Sequence, residues 1–261
     1  MLEAFLARLA ASQFADRFVL KVGVLLAAFG ERRPTRDIDL QAETFDNHTD
    51  VVRSAVREIA ALNLDDGVLF ATRTAAAEVI RDEGAYSGVR VTMGAQLATA
   101  RLHFHVDVNV GDPVTPTAQE VHVPRLLGGE VVVRGYPLAM VHAEKIVTAV
   151  ARGTLSTRWR DFADVYLLAR HHTIDGTELA GSVRDVAGHR QVQLTPLATV
   201  LLGYGGIGQQ RWTAWRRKQK LEDRLPDEFG AVVSAVIDFA DPAISGLTKG
   251  RSWNPTAGVW S

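Results

Sequence analysis

"VGVLLAAFGERRPTRDIDLQA", residues 22–42, joins an apolar run to a short basic turn and then to two aspartates with one residue between them. The run from Phe18 to Gly30 is apolar enough to be buried, with Gly23 near its start and Gly30 as its stop. Beyond it "RDIDLQA" alternates: Ile38 and Leu40 face one way and Asp37, Asp39 and Gln41 the other, as in a half-buried strand. Carboxylates two apart on a strand share a face and repel each other. Such a pair calls for a cation between them, or for full exposure to water. Two hard oxygen ligands side by side suit Mg2+, which favours carboxylates plus substrate phosphates over an all-protein cage. Taken alone, an Asp-x-Asp is also a common solvated turn.

A second stretch changes the balance. In "RLHFHVDVNVGD", residues 101–112, Phe104, Val106, Val108 and Val110 alternate with His103, His105, Asp107 and Asn109. The strand sits among other buried-looking strands, so Asp107 can join Asp37 and Asp39 as a third carboxylate on a neighbouring strand. Three carboxylates can hold two Mg2+ (or Mn2+) ions, one activating an attacking hydroxyl and one gripping the phosphates that leave. A competing arrangement takes His103, His105 and Asp107 as a zinc site, although an exposed histidine is the plainer reading of each.

Working outward, "MLEAFLARLAASQFADRF" reads as an amphipathic helix and not a signal peptide, with Glu3, Arg8 and Asp16 interrupting its apolar face. "NHTDVVRSAVREIAAL" is a second helix, capped by Thr49 or Asp50. "GVLFATR", "SGVRVTMGAQLA" and "ARLHFHVDVNV" are strand-like, and "VHVPRLLGGEVVVRGY" is a hairpin turning at Gly128–Gly129. After Pro137 the period becomes helical, in "PLAMVHAEKIVTAVARG", "TRWRDFADVYLLARHH", "GTELAGSVRDVAG", "RWTAWRRKQKLED" and "DEFGAVVSAVIDFA". Strands followed by a run of helices indicate α+β, with a mixed-sheet domain over residues 1–136 and a helical domain over residues 137–261. The final "SGLTKGRSWNPTAGVWS" has no period and reads as a packed or frayed tail.

Bulk composition sets limits. The formal net charge is −1, so any nucleic-acid contact needs a local basic patch. Absence of cysteine excludes disulfides, thiolate metal sites and cysteine nucleophiles, and a reducing cytoplasm fits. The uncharged stretch 191–210 is too polar and too broken for a membrane span. Within it "GYGGIG" copies a dinucleotide fingerprint, but the residues after it read as helix and tail, without the strands a Rossmann crevice needs; a flexible loop between helices is expected. In "RWTAWRRKQK", Trp212 and Trp215 are expected to anchor a helix while its charges face water or RNA. Arg32, Arg33 and Arg36, next to the aspartate pair, are better placed for a substrate phosphate. Glu144 and Lys145 are adjacent in a helix and face different ways, so one of them can point inward; an inward lysine would suit a triphosphate.

Together, "LKVGVLLAAFGERRPTRDIDL", "HVDVNVGD", "AEKIVTAVARG" and "RWRDFADVYLLA", in that order over residues 18 to 170, resemble the AbiEii-type (MenT-type) nucleotidyltransferase toxins of type IV toxin–antitoxin systems. The resemblance implies a polymerase-β-like nucleotidyltransferase core with an added helical domain. It implies that Asp37 and Asp39 are the metal-binding pair, Asp107 the third carboxylate, Lys145 the holder of the nucleotide's phosphates and Asp161 a further essential acid. Gly23, Thr35 and Arg36 would lie against the nucleotide. The implied activity is transfer of a nucleotide from an NTP to the 3′ end of tRNA, blocking translation, with a separately encoded antitoxin as partner. The chain departs from the family where two small residues usually open the first motif: here Val22-Gly23-Val24 leaves the phosphate grip to backbone alone. A small-molecule or protein hydroxyl as acceptor, or a non-catalytic module on the same fold, are the other readings of these residues.

Overall fold

The computed structural model describes residues 1–81 and 87–261. Its contacts divide the chain into two units, one of residues Met1–Asp112 and Thr117–Tyr136, the other of Pro113–Pro116 and Pro137–Ser261. No helix among the described residues is long and apolar enough to cross a membrane.

The first unit runs α1 (Leu2–Ala10), β1 (Phe18–Leu20), a 3-10 turn (Val24–Phe29), β2 (Asp37–Ala42), α2 (Thr49–Ala61), β3 (Val68–Arg81), β4 (Ser87–Leu97), β5 (Ala100–Val110), β6 (Gln119–Pro124) and β7 (Glu130–Gly135). Seven strands form one sheet in the order β3-β4-β5-β2-β1-β7-β6. It is mixed: β2 pairs in parallel with β5 and β1 with β7, and the other neighbours are antiparallel. Alternation in β2 and β5 works as expected on the apolar side, where Ile38, Leu40, Phe104, Val106 and Val108 are all buried. Phe5 of α1 closes over that side against Phe70 and Phe104, at ring distances of 6.2 and 5.8 Å. Each such buried Leu, Ile or Phe contributes about 1.5–3 kcal/mol, which fixes which face of the strands turns inward. A slip of one residue would send the aspartates to that face, so burial also sets the register of the polar side.

The buried run after β1 stops at Gly30 as expected and forms a six-residue 3-10 turn, with Gly23 and Gly30 both at positive φ at its two ends. Other local expectations are corrected. The residue capping α2 is His48, and Thr49 is already helical. Strand β3 continues well past "GVLFATR" to Arg81, since its second half pairs with β4 beyond a register shift between Ala71 and Ala76.

In the second unit come α3 (Leu138–Arg152), α4 (Trp159–His171), β8 (Ile174–Asp175), α5 (Gly176–His189), α6 (Leu197–Val200), α7 (Tyr204–Lys218), α8 (Phe229–Ile244), β9 (Ser252–Asn254) and β10 (Val259–Trp260). The chain is thus α+β with a mostly helical C-terminal region. "GYGGIG" is not a loop: Tyr204 begins α7, and a Cβ on Gly205 would come within 2.7 Å of the Gly230 Cα. The glycines there let α7 lie close on the start of α8. Trp212 is fully buried and stacks on Phe229 at 4.9 Å. Arg211, Arg217, Lys218 and Lys220 face outward, whereas Arg216 is buried and paired with Asp227. The C-terminal tail is packed and ordered as strands β9 and β10, with Trp253 and Trp260 both against Phe239.

Candidate functional site

The parallel pairing of β2 with β5 sets Asp37 opposite His105 and Asp39 opposite Asp107. Paired residues on neighbouring strands share a face, so all four side chains stand on the same side of the sheet. Ligand atoms of Asp37, His105 and Asp107 lie within 4.8 Å of one another, and His105 Nε2 is 3.8 Å from Asp37 Oδ2. Asp37 is aimed by Thr35, whose Oγ1 donates to Asp37 Oδ1 at 2.7 Å. Asp107 is buried and held by Arg90 of β4, which donates from Nε to Oδ1 at 2.7 Å and from Nη2 to Oδ2 at 2.6 Å.

Asp39 stands beside the Asp37–His105–Asp107 group, next to Gly23. Its Oδ2 lies 3.4 Å from where a Cβ on Gly23 would stand, and Thr35 Oγ1 lies 3.6 Å from the same point. Gly23 holds φ +90°, which only glycine adopts at little cost, and this lets bare backbone come up to the carboxylate. Gly23 and Thr35 also line a cleft of about 480 Å³ with apolar walls from Val24, Ala27 and Leu102.

The donor set suits a divalent cation. It offers hard carboxylate oxygens, an imidazole nitrogen beside them, and a spacing within reach of one ion. The zinc arrangement drawn from His103, His105 and Asp107 is not what forms: His103 is exposed and outside the group, and Asp37 takes its place.

A second ionic cluster forms within the helical unit. Lys145 of α3 is the inward-facing one of its pair, and Nζ donates to Asp161 Oδ1 at 2.9 Å and to Asp164 Oδ2 at 2.8 Å, both on α4. Arg158 donates to the other oxygen of Asp161 at 2.6 Å. Burial alone would raise the Asp161 pKa, but the charges of Lys145 and Arg158 outweigh it and hold the carboxyl at about 2. Asp161 is therefore ionised at neutral pH.

Of the basic residues beside the aspartate pair, Arg36 is exposed on the loop before β2. Arg32 is tied to Glu3 at 2.7 Å and to the carbonyl of Pro124, so it is already committed. Arg90 escaped the sequence reading. It occurs in an ordinary alternating strand, and the one faint signal is an arginine among apolar residues; what makes it part of the site is its register opposite Asp107.

No curated protein matches the chain. Among solved structures, a candidate nucleotidyltransferase from H. pylori superposes with a TM-score of 0.52 at 14% identity, covering 94% of each chain. JHP933 from Helicobacter pylori superposes with a TM-score of 0.53 at 13% identity, covering 94% of this chain and 93% of that one. At those identities the likeness is one of fold. The sequence model of the nucleotidyl transferase AbiEii toxins of type IV toxin–antitoxin systems matches residues 4–235. With that span matched and the fold shared, this chain belongs to the AbiEii nucleotidyltransferase toxin family.

Proposed function

We propose that this protein is a metal-dependent nucleotidyltransferase that moves a nucleotide from an NTP to an acceptor hydroxyl, with pyrophosphate leaving, and that the acceptor is the 3′ end of tRNA, so that translation stops. The observation that carries this reading is the in-register meeting of Asp39 with Asp107 and of Asp37 with His105, beside the bare backbone of Gly23. Asp37, Asp39 and Asp107 would hold Mg2+ or Mn2+, which supplies charge neutralisation at the triphosphate when bound. The protein's own part is to fix those acids: Thr35 orients Asp37 and Arg90 orients Asp107. Gly23 leaves room for phosphate next to backbone, and exposed Arg36 offers it a charge-assisted contact. Asp107 is our choice for the group that helps deprotonate the acceptor hydroxyl.

Roles for Lys145 on the phosphates and for Asp161 as a further essential acid follow from the family pattern. Lys145 is paired with Asp161 and Asp164 in the helical unit. A cognate antitoxin protein is the partner that membership of a type IV system implies.

The test is direct. Asp39→Asn should leave the circular dichroism spectrum and melting temperature nearly unchanged, and should abolish transfer of label from α-labelled NTP. Total RNA and a panel of small hydroxyl acceptors, offered side by side, identify the acceptor. Undiminished transfer by the Asp39→Asn variant would reject the assignment.

A further inference from the structure

Arg90 grips Asp107 with both arms of a planar fork, and the fork matches the carboxylate atom for atom. Asp107 is only 6% exposed, while the Arg90 side chain keeps 34% of its surface in solvent. Two oxygens of an ionised carboxylate offer about four lone-pair positions, of which the fork uses two. The others remain for an ion, and one of these oxygens belongs to the group with Asp37 and His105. Arg90 is also coupled electrostatically to Asp37 and to Glu78. A fixed positive charge therefore stands at the edge of the acidic cluster.

Two physical consequences arise from that position. The fork fixes the rotamer of Asp107, so the third carboxylate is aimed before any ligand arrives. The guanidinium charge also relieves the mutual repulsion of the acids and, by the same Coulombic effect, opposes a divalent cation that arrives alone. The three acids keep the cluster net negative, so a lone cation is still attracted, only less strongly than without Arg90; a bound triphosphate adds negative charge and oxygen ligands that offset the guanidinium.

We infer that Arg90 is a positioning residue for Asp107 and makes divalent-ion binding at the carboxylates depend on the bound triphosphate. This rests on the metal-dependent reading above and adds to it the residue that weakens ion binding when nucleotide is absent.

Calorimetric titration with Mn2+, with and without a nonhydrolysable triphosphate analogue of each base, tests the inference on the intact protein. Wild type should bind Mn2+ weakly by itself and about tenfold or more tightly with the analogue. Arg90→Gln should tighten nucleotide-free Mn2+ binding about tenfold and shrink the gap between the two conditions. It should also melt lower than wild type in EDTA, because Asp107 is left buried without its partner, and recover more on adding Mn2+. Arg90→Lys keeps the charge and loses the fork, so its nucleotide-free affinity should stay as weak as wild type. A folded Arg90→Gln protein with equal or weaker nucleotide-free affinity overturns the inference, since an arginine that merely aims a carboxylate would give that result. Should Arg90→Gln not fold, wild type decides by itself: equal Mn2+ affinity with and without analogue also overturns it. Mn2+ binding that is insensitive to Asp39→Asn would instead bring down the functional reading, a separately visible failure.

Discussion

Gly23 has φ +90° and ψ −106°, and a side chain there would be strained by about 1–3 kcal/mol before it touched anything. It would then sit 3.4 Å from Asp39 Oδ2, in the space where phosphate and backbone are proposed to meet. Gly23→Ala is expected to lower stability by that amount and to abolish binding of a triphosphate analogue in the same calorimeter; binding that survives would remove Gly23 from the site. At this scale much could be read from the chain. The alternation of Asp37 and Asp39 with Ile38 and Leu40 told which side chains share a face, because that follows from strand geometry alone. Arg90 could not be read, since nothing local says that residue 90 will lie opposite residue 107.

Helix α1 shows where periodicity misleads. Arg8 interrupts the apolar pattern, and a charged residue is expected on the wet side. In the structure it is 1% exposed. Its guanidinium binds both oxygens of Asp66, at 2.7 and 2.9 Å, and the carbonyls of Ala4, Leu62 and Val68. One side chain thus ties α1, the residue after α2 and the first residue of β3. Hydrogen bonding to Arg8 leads the effects that hold the Asp66 carboxyl below its usual range, so the pair stays charged. Arg8→Ala leaves that carboxylate and those carbonyls without their donor, and is expected to cost about 3–5 kcal/mol, read from the urea midpoint of the first unit by circular dichroism. A change below about 1 kcal/mol would mean that the tie is incidental. Helix α7 makes the same point with glycine: a Cβ on Gly208 would meet Phe229 and Trp159 at 2.8 Å, so a pattern that copies a phosphate loop serves close helix packing.

At the scale of the molecule, buried titratable groups tie the stability of the helical unit to pH. All five tryptophans lie in the helical unit, so their fluorescence reports its unfolding. His142 there is fully buried, 4.8 Å from the Phe239 ring, with no hydrogen-bond partner for either ring nitrogen among the described residues. Burial first, then the charges of Lys145 and His172, push its pKa from 6.5 down to about 3. The folded state keeps His142 neutral while the unfolded chain takes up a proton below 6.5, so stability falls as pH drops from 6.5 towards 3. Between pH 7 and 5 the loss from this group is about 2 kcal/mol, and His142→Leu is expected to remove it from urea unfolding followed by tryptophan fluorescence. Asp161 acts lower down: its contribution is complete above 3.8 and disappears as pH falls to about 2. An unchanged pH slope in the His142→Leu variant would show that His142 is not neutral and buried. By itself the sequence determined the α+β class, the strand-then-helix order and that Asp37 and Asp39 share one polar strand face, as do His105 and Asp107, because those depend on local period and on which residues avoid water. Only the tertiary structure decided that Arg90 holds Asp107, that His105 joins Asp37 in place of His103, and that Arg8 is buried. Each of these depends on which distant segments become neighbours, a choice made by packing the whole sheet and its helices together.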